Sequence, residues 1–457
     1  MRFVDVDIDP GNGKGRHLNT EYSAPRSPFA SILRVTGGNF LEMYDFMIFG
    51  YYSTSIAKAF FPNKSEFTGL MLSLATFGAG FLMRPLGAIV LGGYSDRHGR
   101  RAGLLLTLTL MAFGTLSIAC TPGYATIGIA APLIVLLGRL LQGLSAGAEL
   151  GGVSVYLAEI APPHRKGLYV SWQSASQQLA VIFAAVLGMA LSYKIAPAAM
   201  DAWGWRVPLW IGCALVPFVF WIRSSLAETE QFLARRKRFT MPEILRSLVK
   251  NWRIVLIGTM LTALTTTAFY MITAYTPTYG ARTLHLERSS TLLVTLCVGV
   301  SNFILLPVMG RLSDSIGRRP LLFACTALVL LTAYPALAWL VQSPSFDRLL
   351  AVELWLSVLY ASYNGAMVVY LTEIMPLDVR STGFSLSYSL ATAIFGGYTP
   401  AICTYLIHRT NNGAVPGAWL SVAASLALVA AVCTMRMAGL RKEERHGGTV
   451  RTASVQG

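Results

Sequence analysis

Twelve apolar segments dominate this sequence and restrict what it can fold into. Each approaches or exceeds the roughly 20 residues that a helix needs to cross a hydrocarbon core about 30 Å thick. Only 13% of the residues are charged, against about 25% in soluble proteins. The pattern predicts an all-α integral membrane protein with twelve transmembrane helices, at 31–57, 66–91, 103–121, 127–158, 168–192, 206–222, 254–279, 290–310, 320–341, 349–372, 381–407 and 414–437.

Positive charge is distributed unevenly between the loops. The tails and the loops on the same side as the N-terminus hold 27 of the 37 lysines and arginines, whereas the opposite loops hold 8. Loops rich in lysine and arginine stay in the cytoplasm, so both termini are predicted to be cytoplasmic. The net charge of +15 is thereby explained by orientation in a lipid bilayer, and no nucleic-acid partner is expected.

Two motifs occur twice at nearly the same offset. GGYSDRHGRR at 92–101 returns as GRLSDSIGRR at 310–319, and YLAEIAPPHR at 156–165 returns as YLTEIMPLDVR at 370–380. Paired repeats at corresponding segment ends indicate two six-helix halves. The expected division is a disordered cytoplasmic tail (1–27), an N-terminal bundle (28–222), a cytoplasmic linker (223–253), a C-terminal bundle (254–440) and a second cytoplasmic tail (441–457).

Twelve segments in two halves, with D-R-x-G-R-R between the second and third, resemble the major facilitator superfamily. The stretches ILRVTGGNFLEMYDF (32–46), GRLLQGLSAGAELGGVSVYLAEIA (138–161) and SWQSASQQLA (171–180) resemble its metabolite–proton symporters, in particular the branch that carries citrate and tricarballylate. The resemblance covers about residues 28–440. It implies a monomeric, multi-pass transporter of the bacterial inner membrane whose halves rock about a midplane site. It also implies symport of an anionic tricarboxylate with protons, without cofactor or metal.

The repeated loop motif is expected to act in gating. A glycine-rich loop turns tightly, while an aspartate can accept hydrogen bonds at a helix N-terminus and arginines can clamp a carboxylate. Ser315 stands where the first copy has an arginine, which predicts a weaker second latch. The alternative is that these charges only orient the chain. In the resembled family such loops latch the outward-open state, which assigns gating to Asp96, Arg97, Arg101, Asp314 and Arg318.

Ionisable residues inside a membrane are costly and mark functional pathways. The apolar segments contain Glu42, Asp45, Arg84, Arg139 and Glu149 and, near an outer edge, Glu353. The resemblance supports an Asp45–Arg139 pair, because related sugar–proton symporters place an aspartate on the first helix opposite an arginine on the fourth. The alternative is a permanent structural ion pair. The expected proton-coupling residues are Asp45, then Glu42 and Glu149.

Substrate binding is assigned to groups that suit carboxylates and hydroxyls. A planar guanidinium binds a carboxylate through two parallel hydrogen bonds, which favours Arg84 and Arg139, although Arg84 can instead serve packing. For the hydroxyls, the alternative is a bond to their own helix backbone. The neutral candidates are Asn39, Gln142, Gln173, Gln177, Thr266, Tyr270, Tyr363, Asn364, Tyr388, Ser389 and Tyr398.

Other functions are less well supported by the residues. Antiport exporters of the superfamily carry a Gly-Pro element in the fifth segment, and VIFAAVLGMALS (181–192) has none. A proton symporter of a ketoacid, a betaine or an aromatic acid remains an alternative. An enzyme or receptor is not expected, because no catalytic motif is found. The six cysteines occur singly, which argues against disulfides and a metal site.

Overall fold

The computed structural model describes residues 38–98, 100–147, 149–224, 241–376 and 380–453. Within these ranges all regular secondary structure is helical. Twenty helices follow one another: α1 Gly38–Tyr51, α2 Ser53–Phe60, α3 Glu66–Leu82, α4 Arg84–His98, α5 Arg100–Cys120, α6 Tyr124–Ile127, α7 Ala130–Ala146, α8 Glu149–Ile160, α9 Lys166–Lys194, α10 Pro197–Ala199, α11 Arg206–Ser224, α12 Met241–Lys250, α13 Trp252–Tyr270, α14 Thr276–Arg282, α15 Arg288–Ile316, α16 Arg318–Gln342, α17 Phe346–Ile374, α18 Arg380–Ala391, α19 Thr399–Thr410 and α20 Val415–Ala453.

Nine helical stretches in the described ranges are long and apolar enough to cross a bilayer, each matching a predicted segment: Glu66–Gly92, Ala130–Ile160, Lys166–Lys194, Trp252–Arg282, Arg288–Ile316, Arg318–Gln342, Phe346–Ile374, Thr382–Thr410 and Val415–Met435. The predicted segment 206–222 lies in a pair of helices, Pro197–Gly204 and Arg206–Trp221, bent by 43°. The segment 103–121 contains the shorter apolar helix Leu105–Cys120. The first segment is divided between α1 and α2, and its residues 31–37 lie outside the described ranges.

Two stretches are more deeply buried than the other spans. In Trp252–Arg282 and in Phe346–Ile374 (α17), 83% of the most apolar window is buried, against 39–56% in the other seven. A helix that is covered on all sides lies at the centre of a bundle. Polar side chains on these helices therefore face protein rather than lipid.

Two central helical paths are interrupted by short π-helical turns. Met271–Tyr275 separates α13 from α14, and Thr392–Gly396 lies between α18 and α19. Each following helix carries a proline at its start, Pro277 and Pro400, which cannot donate a backbone hydrogen bond. These turns interrupt the regular α-helical hydrogen bonding within apolar segments that the sequence predicts as single helices.

Close glycine contacts join α7 to the preceding span. A Cβ atom on Gly143 would lie 1.6 Å from the carbonyl oxygen of Gly80, and one on Gly147 would lie 2.0 Å from that of Arg84. Neither position has space for a side chain. The small residues Gly143 on α7 and Gly147 directly after it thus allow the backbones to approach closely.

Candidate functional site

Asp45 and Arg139 are joined through two intervening side chains. The Thr115 hydroxyl donates to Asp45 Oδ2, and Gln142 Nε2 donates to Thr115 Oγ1 at 3.0 Å. Arg139 Nη1 in turn donates to Gln142 Oε1 at 2.7 Å. The predicted Asp45–Arg139 pair thus communicates through a chain of hydrogen bonds, because α5 places the Thr115 hydroxyl between the two charges. We call Asp45, Thr115, Gln142 and Arg139 the polar relay.

The polar relay is closed to solvent. Asp45, Gln142 and Arg139 expose 2% or less of their surface, and Thr115 exposes 1%. The other carboxylate oxygen, Asp45 Oδ1, has no hydrogen-bond partner among the described residues. Asp45 can thus take up a proton at Oδ1 without breaking an existing bond.

A buried ion pair joins α1 to α4 beside the polar relay. Arg84 Nη2 lies 3.1 Å from Glu42 Oε1, and the two side chains expose 1% and 4%. A buried charge must be compensated by a partner, so Glu42 and Arg84 depend on each other in this conformation. Arg84 Nε and Arg139 Nε lack hydrogen-bond acceptors among the described residues, and each keeps a donor for a further ligand.

Aromatic rings surround both guanidinium groups. The Arg84 guanidinium carbon lies 4.8 Å from the centroid of the Phe46 ring, and that of Arg139 lies 4.5 Å from the same centroid. Phe81 covers Arg84 at 4.6 Å, and Phe77 covers Arg139 at 5.1 Å. A cation over an aromatic face is attracted by the ring quadrupole, so the rings hold both cations in a water-poor site. We call the rings of Phe46, Phe49, Phe77 and Phe81 the phenylalanine cage.

The phenylalanine cage also contacts the second half of the sequence. The Tyr270 ring packs edge-on against Phe81, with centroids 5.1 Å apart, and its side chain is buried. Tyr270 ends α13 immediately before the π-helical turn. The predicted substrate residue Tyr270 is thus brought beside the arginines.

Some predicted hydroxyl ligands are already engaged in the structure. Thr266 donates to Thr262 O and Ala263 O, both at 3.2 Å. Tyr363 donates to the carbonyl of Leu261 at 2.8 Å and so ties α17 to α13. For Thr266 the structure therefore matches the alternative of a bond to its own helix backbone, whereas the Tyr363 hydroxyl bonds the backbone of another helix.

Buried amides provide unused hydrogen-bonding groups. Both polar atoms of Asn39, and the amide nitrogens of Gln173 and Asn364, lack partners among the described residues. Gln178 is fully buried with neither atom bonded. The sequence interpretation selected its neighbour Gln177, which is also buried. The pair of adjacent glutamines was the available signal for Gln178, whereas nothing distinguished Thr115 from other threonines in apolar runs.

The remaining neutral candidates lie in or near α18 and α19. Tyr388 and Ser389 are buried, and the Tyr388 ring stacks on Phe384. Tyr398 fills the space beside Gly78, where a Cβ atom would come within 2.7 Å of the ring. Tyr398 therefore packs against α3 at an interface between the two halves of the sequence.

Asp314 binds the start of a helix from the other half of the sequence. Its two carboxylate oxygens accept hydrogen bonds from the backbone N–H groups of Gly167 and Leu168, at 2.8 and 3.0 Å. Arg318 Nη2 lies 2.8 Å from Asp314 Oδ1 and 3.3 Å from Glu373 Oε1. A carboxylate is stabilised at a helix N-terminus by the free N–H groups and the helix dipole. Asp314 thus joins α15 to α9.

Four predicted site residues have side chains outside the described part of the structure. The helices that carry Asp96, Arg97, Arg101 and Glu149 are α4, α5 and α8. Their predicted roles in gating and proton coupling stay predictions.

Further contacts join early helices to late helices of the chain. Arg282 Nη1 lies 2.8 Å from Glu66 Oε2, and the Phe67 ring stacks on His408 with centroids 3.8 Å apart. The hydroxyls of Ser53 and Thr278 are 3.1 Å apart. Together with the Asp314 contact, these interactions hold the two halves of the sequence together in this conformation.

Comparison with known proteins agrees with this architecture. The sequence profile of the Major Facilitator Superfamily matches residues 35–392. The chain is 56% identical over 412 residues to a citrate-proton symporter of Salmonella typhi, covering 90% of this chain and 95% of that protein. It is 58% identical over 400 residues to a citrate-proton symporter of Klebsiella pneumoniae, covering 88% and 90%.

A more distant sequence relative and a solved structure extend the comparison. The alpha-ketoglutarate permease of Escherichia coli is 36% identical over 374 residues, covering 80% of this chain and 84% of that protein. The xylose transporter XylE from E. coli, in a partially occluded inward-open conformation, superposes with a TM-score of 0.71 at 20% identity, covering 90% of this chain and 97% of that one. The chain therefore belongs to the Major Facilitator Superfamily, in the group that includes citrate-proton symporters.

Proposed function

We propose that this protein imports citrate, or a close tricarboxylate, together with protons by alternating access. It is a transporter of the bacterial inner membrane, not an enzyme. The observation that carries the proposal is the buried cluster in which two carboxyl groups, Asp45 and Glu42, are linked to two guanidinium groups, Arg139 and Arg84. One chain contains the whole cluster, which supports a monomer as the transporting unit.

Protonation of Asp45 changes the charge that Arg139 experiences. When Asp45 is ionised, the Thr115 hydroxyl donates its single hydrogen to Asp45 Oδ2. The negative charge of Asp45 then balances the positive charge of the Arg139 guanidinium through the relay. When Asp45 is protonated, the cation of Arg139 loses this compensation. A buried unpaired cation is costly, so it then favours binding of a substrate carboxylate.

The same argument applies to Glu42 and Arg84. Their ion pair, at 3.1 Å, must open before Arg84 can bind an anion through both of its terminal nitrogens. Protonation of Glu42 removes the charge that holds Arg84. We therefore propose that protons bind before the substrate does. Asp45 and Glu42 are the residues that we propose to bind these protons.

Neutral groups around the arginines complete the proposed site. Asn39, Gln173, Gln178 and Asn364 offer amide atoms without partners among the described residues, and the Tyr270 ring borders the phenylalanine cage. Such groups suit the hydroxyl and the carboxylates of citrate. We propose that both halves contribute to binding, the first half with the two cations and most of these amides, and the second half with Asn364 and Tyr270.

The membrane potential favours coupling to protons. Each negative charge that enters against an inside-negative potential costs about 2.3 kcal/mol per 100 mV. A citrate trianion becomes electrically neutral cargo only when as many protons enter as it has negative charges. The two buried carboxyls, Asp45 and Glu42, can carry two of these three protons, and the third then enters on another carboxyl or on a partly protonated substrate.

The proposal is tested in proteoliposomes with labelled citrate and an imposed inward proton gradient. We expect the wild type to accumulate citrate and Asp45→Asn to fail, while Asp347→Asn, an exposed position, behaves as the wild type. Alpha-ketoglutarate and glycine betaine are supplied as competitors. Accumulation of alpha-ketoglutarate without citrate would make the proposed substrate wrong, and uphill citrate uptake by Asp45→Asn would make the proposed proton site wrong.

A further inference from the structure

Glu353 is a buried carboxyl group that lies outside the arginine cluster. It lies on α17, about two turns after the helix begins at Phe346, and exposes 4% of its surface. Its Oε1 atom accepts a hydrogen bond from the Thr276 hydroxyl at 2.9 Å. Its Oε2 atom is buried and has no hydrogen-bond partner among the described residues.

In the described structure no cation compensates Glu353. Arg282 pairs with Glu66, and Arg288 donates to the Tyr51 carbonyl and lies over the Tyr52 ring. On its own helix, Arg348 donates to the Trp339 carbonyl. An ionised carboxylate in such surroundings carries a large desolvation cost, so a proton is the partner that fits this site.

Two groups facing Glu353 can report or influence its charge. Tyr279 is the titratable side chain near it, and its hydroxyl donates to the carbonyl of Gly413 at 2.8 Å. Thr276 is the hydroxyl partner. Among the described elements packed around α17, these are the polar groups that the structure places against Glu353.

Thr276 connects the carboxyl group to the helix break. Its hydroxyl lies 3.1 Å from the carbonyl oxygen of Met271, the first residue of the π-helical turn, as well as 2.9 Å from Glu353 Oε1. A hydroxyl has one hydrogen to donate. With Glu353 ionised, that hydrogen goes to the carboxylate. With Glu353 protonated, the acid donates to Thr276, and Thr276 donates to Met271.

We propose that Glu353 is a second proton-binding site of the transport cycle, located in the second half of the sequence, whose occupancy sets the hydrogen bonding of the break between α13 and α14. The inference rests on the proposed function as a proton symporter. The proton is taken from the outer solution while the carrier faces outward. It is released to the cytoplasm before the empty carrier returns.

The break is well placed to transmit this change. Tyr270, which precedes the π-helical turn, contacts the phenylalanine cage through Phe81. Beyond the turn, Thr278 contacts Ser53 and Arg282 contacts Glu66. A change in hydrogen bonding at Met271 therefore occurs between the phenylalanine cage on one side and the Thr278–Ser53 and Arg282–Glu66 contacts on the other.

The test compares Glu353→Gln with the wild type in two assays on full-length protein in proteoliposomes. Glutamine keeps a donor for Thr276 and imitates the protonated acid permanently. We expect exchange of labelled for unlabelled citrate, with citrate on both sides, to stay within about two-fold of the wild type. The final ratio of internal to external citrate in uphill uptake should fall about ten-fold with an imposed gradient of about one pH unit. The reason is that one coupled proton fewer removes about 1.4 kcal/mol of driving force.

Control variants separate this inference from a structural role. Asp347→Asn removes an exposed carboxyl from the same helix and should leave both assays unchanged. Glu353→Asp retains an ionisable group and should restore uphill uptake at least partly. The inference is overturned if Glu353→Gln matches the wild type in both assays, or if Glu353→Gln and Glu353→Asp lose exchange and uptake together. Failure of the wild type to take up citrate would instead refute the proposed function.

Discussion

At the scale of single residues, the site is governed by how buried charges are compensated. Arg139 reaches Asp45 through Gln142 and Thr115 instead of touching it, whereas Arg84 touches Glu42 at 3.1 Å. A direct ion pair holds its members firmly, while a relay of neutral groups allows the charge at one end to change with less rearrangement. The two arginines are therefore expected to respond differently to protonation.

Loss of the Thr115 hydroxyl should weaken coupling. Thr115→Val keeps the shape of the side chain but leaves Asp45 and Gln142 without their shared partner. Hydrogen bonds to charged groups contribute about 1.5–3 kcal/mol, so we expect the initial rate of proton-driven citrate uptake to fall about ten-fold or more. Thr115→Ser should retain activity. Thr109→Val, which removes a hydroxyl bonded to Leu105 of the same helix, is the matched control, and an equal loss there would contradict the role of the relay.

Replacement of Arg139 by lysine should impair substrate binding. Lysine keeps the positive charge but lacks the planar guanidinium group that binds a carboxylate through two hydrogen bonds. It also loses the stacking on Phe46, Phe49 and Phe77. We expect the apparent KM for citrate to rise about ten-fold or more in uptake assays. Arg348→Lys is the control, because Arg348 also covers an aromatic ring, at 4.6 Å from Trp339, but lies away from the cluster. An unchanged KM for citrate in Arg139→Lys would show that Arg139 does not bind the substrate.

The sequence identified the charged members of the cluster and the neutral Gln142, but not Thr115. Glu42, Asp45, Arg84 and Arg139 stand out because ionisable groups are rare in apolar segments, and all four are buried in the structure. Thr115 gives no such signal, since threonine is common in membrane helices and ordinarily bonds its own backbone. Which neutral group meets which charge depends on helix rotation, and the sequence does not specify it.

At the scale of helices, glycine determines how closely the spans approach. The contact between Gly143 and the Gly80 carbonyl leaves no room for a methyl group. This contact supports Gln142, the neighbour of Gly143 in the sequence and a member of the polar relay. Packing of α7 against α3 thus fixes the geometry of the polar chemistry.

Gly143→Ala should destabilise the protein. The added Cβ would lie 1.6 Å from the Gly80 oxygen, so α3 and α7 must separate. Overpacking of this kind costs about 1–3 kcal/mol, and we expect a lower Tm for the purified protein in detergent, measured by intrinsic fluorescence. Gly92→Ala serves as the control, since no atom lies within 4 Å of the added Cβ. Equal Tm values for the two variants would contradict the tight contact.

Helix interruptions were the part of the fold that the sequence did not reveal. The apolar segment 254–279 reads as one continuous helix, yet Met271–Tyr275 forms a π-helical turn within it. Pro277 gives a partial signal, because a proline favours a helix start, but it does not indicate the wider turn. Nine segments were nevertheless confirmed as candidate spans, since length and hydropathy determine them directly.

At the scale of the whole molecule, two sets of contacts hold early and late helices together. The first set is formed by the Asp314 carboxylate with backbone N–H groups at the start of α9. The second set is formed by side chains, including Arg282 with Glu66 and Phe67 with His408. Alternating access requires that these two sets of contacts open at different times.

Replacement of Asp314 by alanine should allow the end of α15 to separate from the start of α9 at Gly167. Asp314→Ala eliminates two charge-assisted hydrogen bonds to α9, and loss of about 1.5–3 kcal/mol should raise the open population about ten-fold or more. The measurement is the distance distribution between spin labels at His164 and Ser315 in a cysteine-free background. Glu373→Gln is the control, because Glu373 contacts Arg318 at 3.3 Å without bonding α9. Identical distributions in wild type and Asp314→Ala would exclude a latch.

The phenylalanine cage has a consequence for the return of the unloaded carrier. In the proposed transport cycle a substrate carboxylate leaves Arg84 or Arg139, and each guanidinium then still lies on ring faces, at 4.5–5.1 Å from their centroids. The ring quadrupoles of the phenylalanine cage partly stabilise the positive charge that the substrate leaves unpaired. Fewer water molecules are therefore needed to solvate the guanidinium groups. A continuous water wire through the bundle is therefore disfavoured, and the empty transporter can reset without dissipating the proton-motive force.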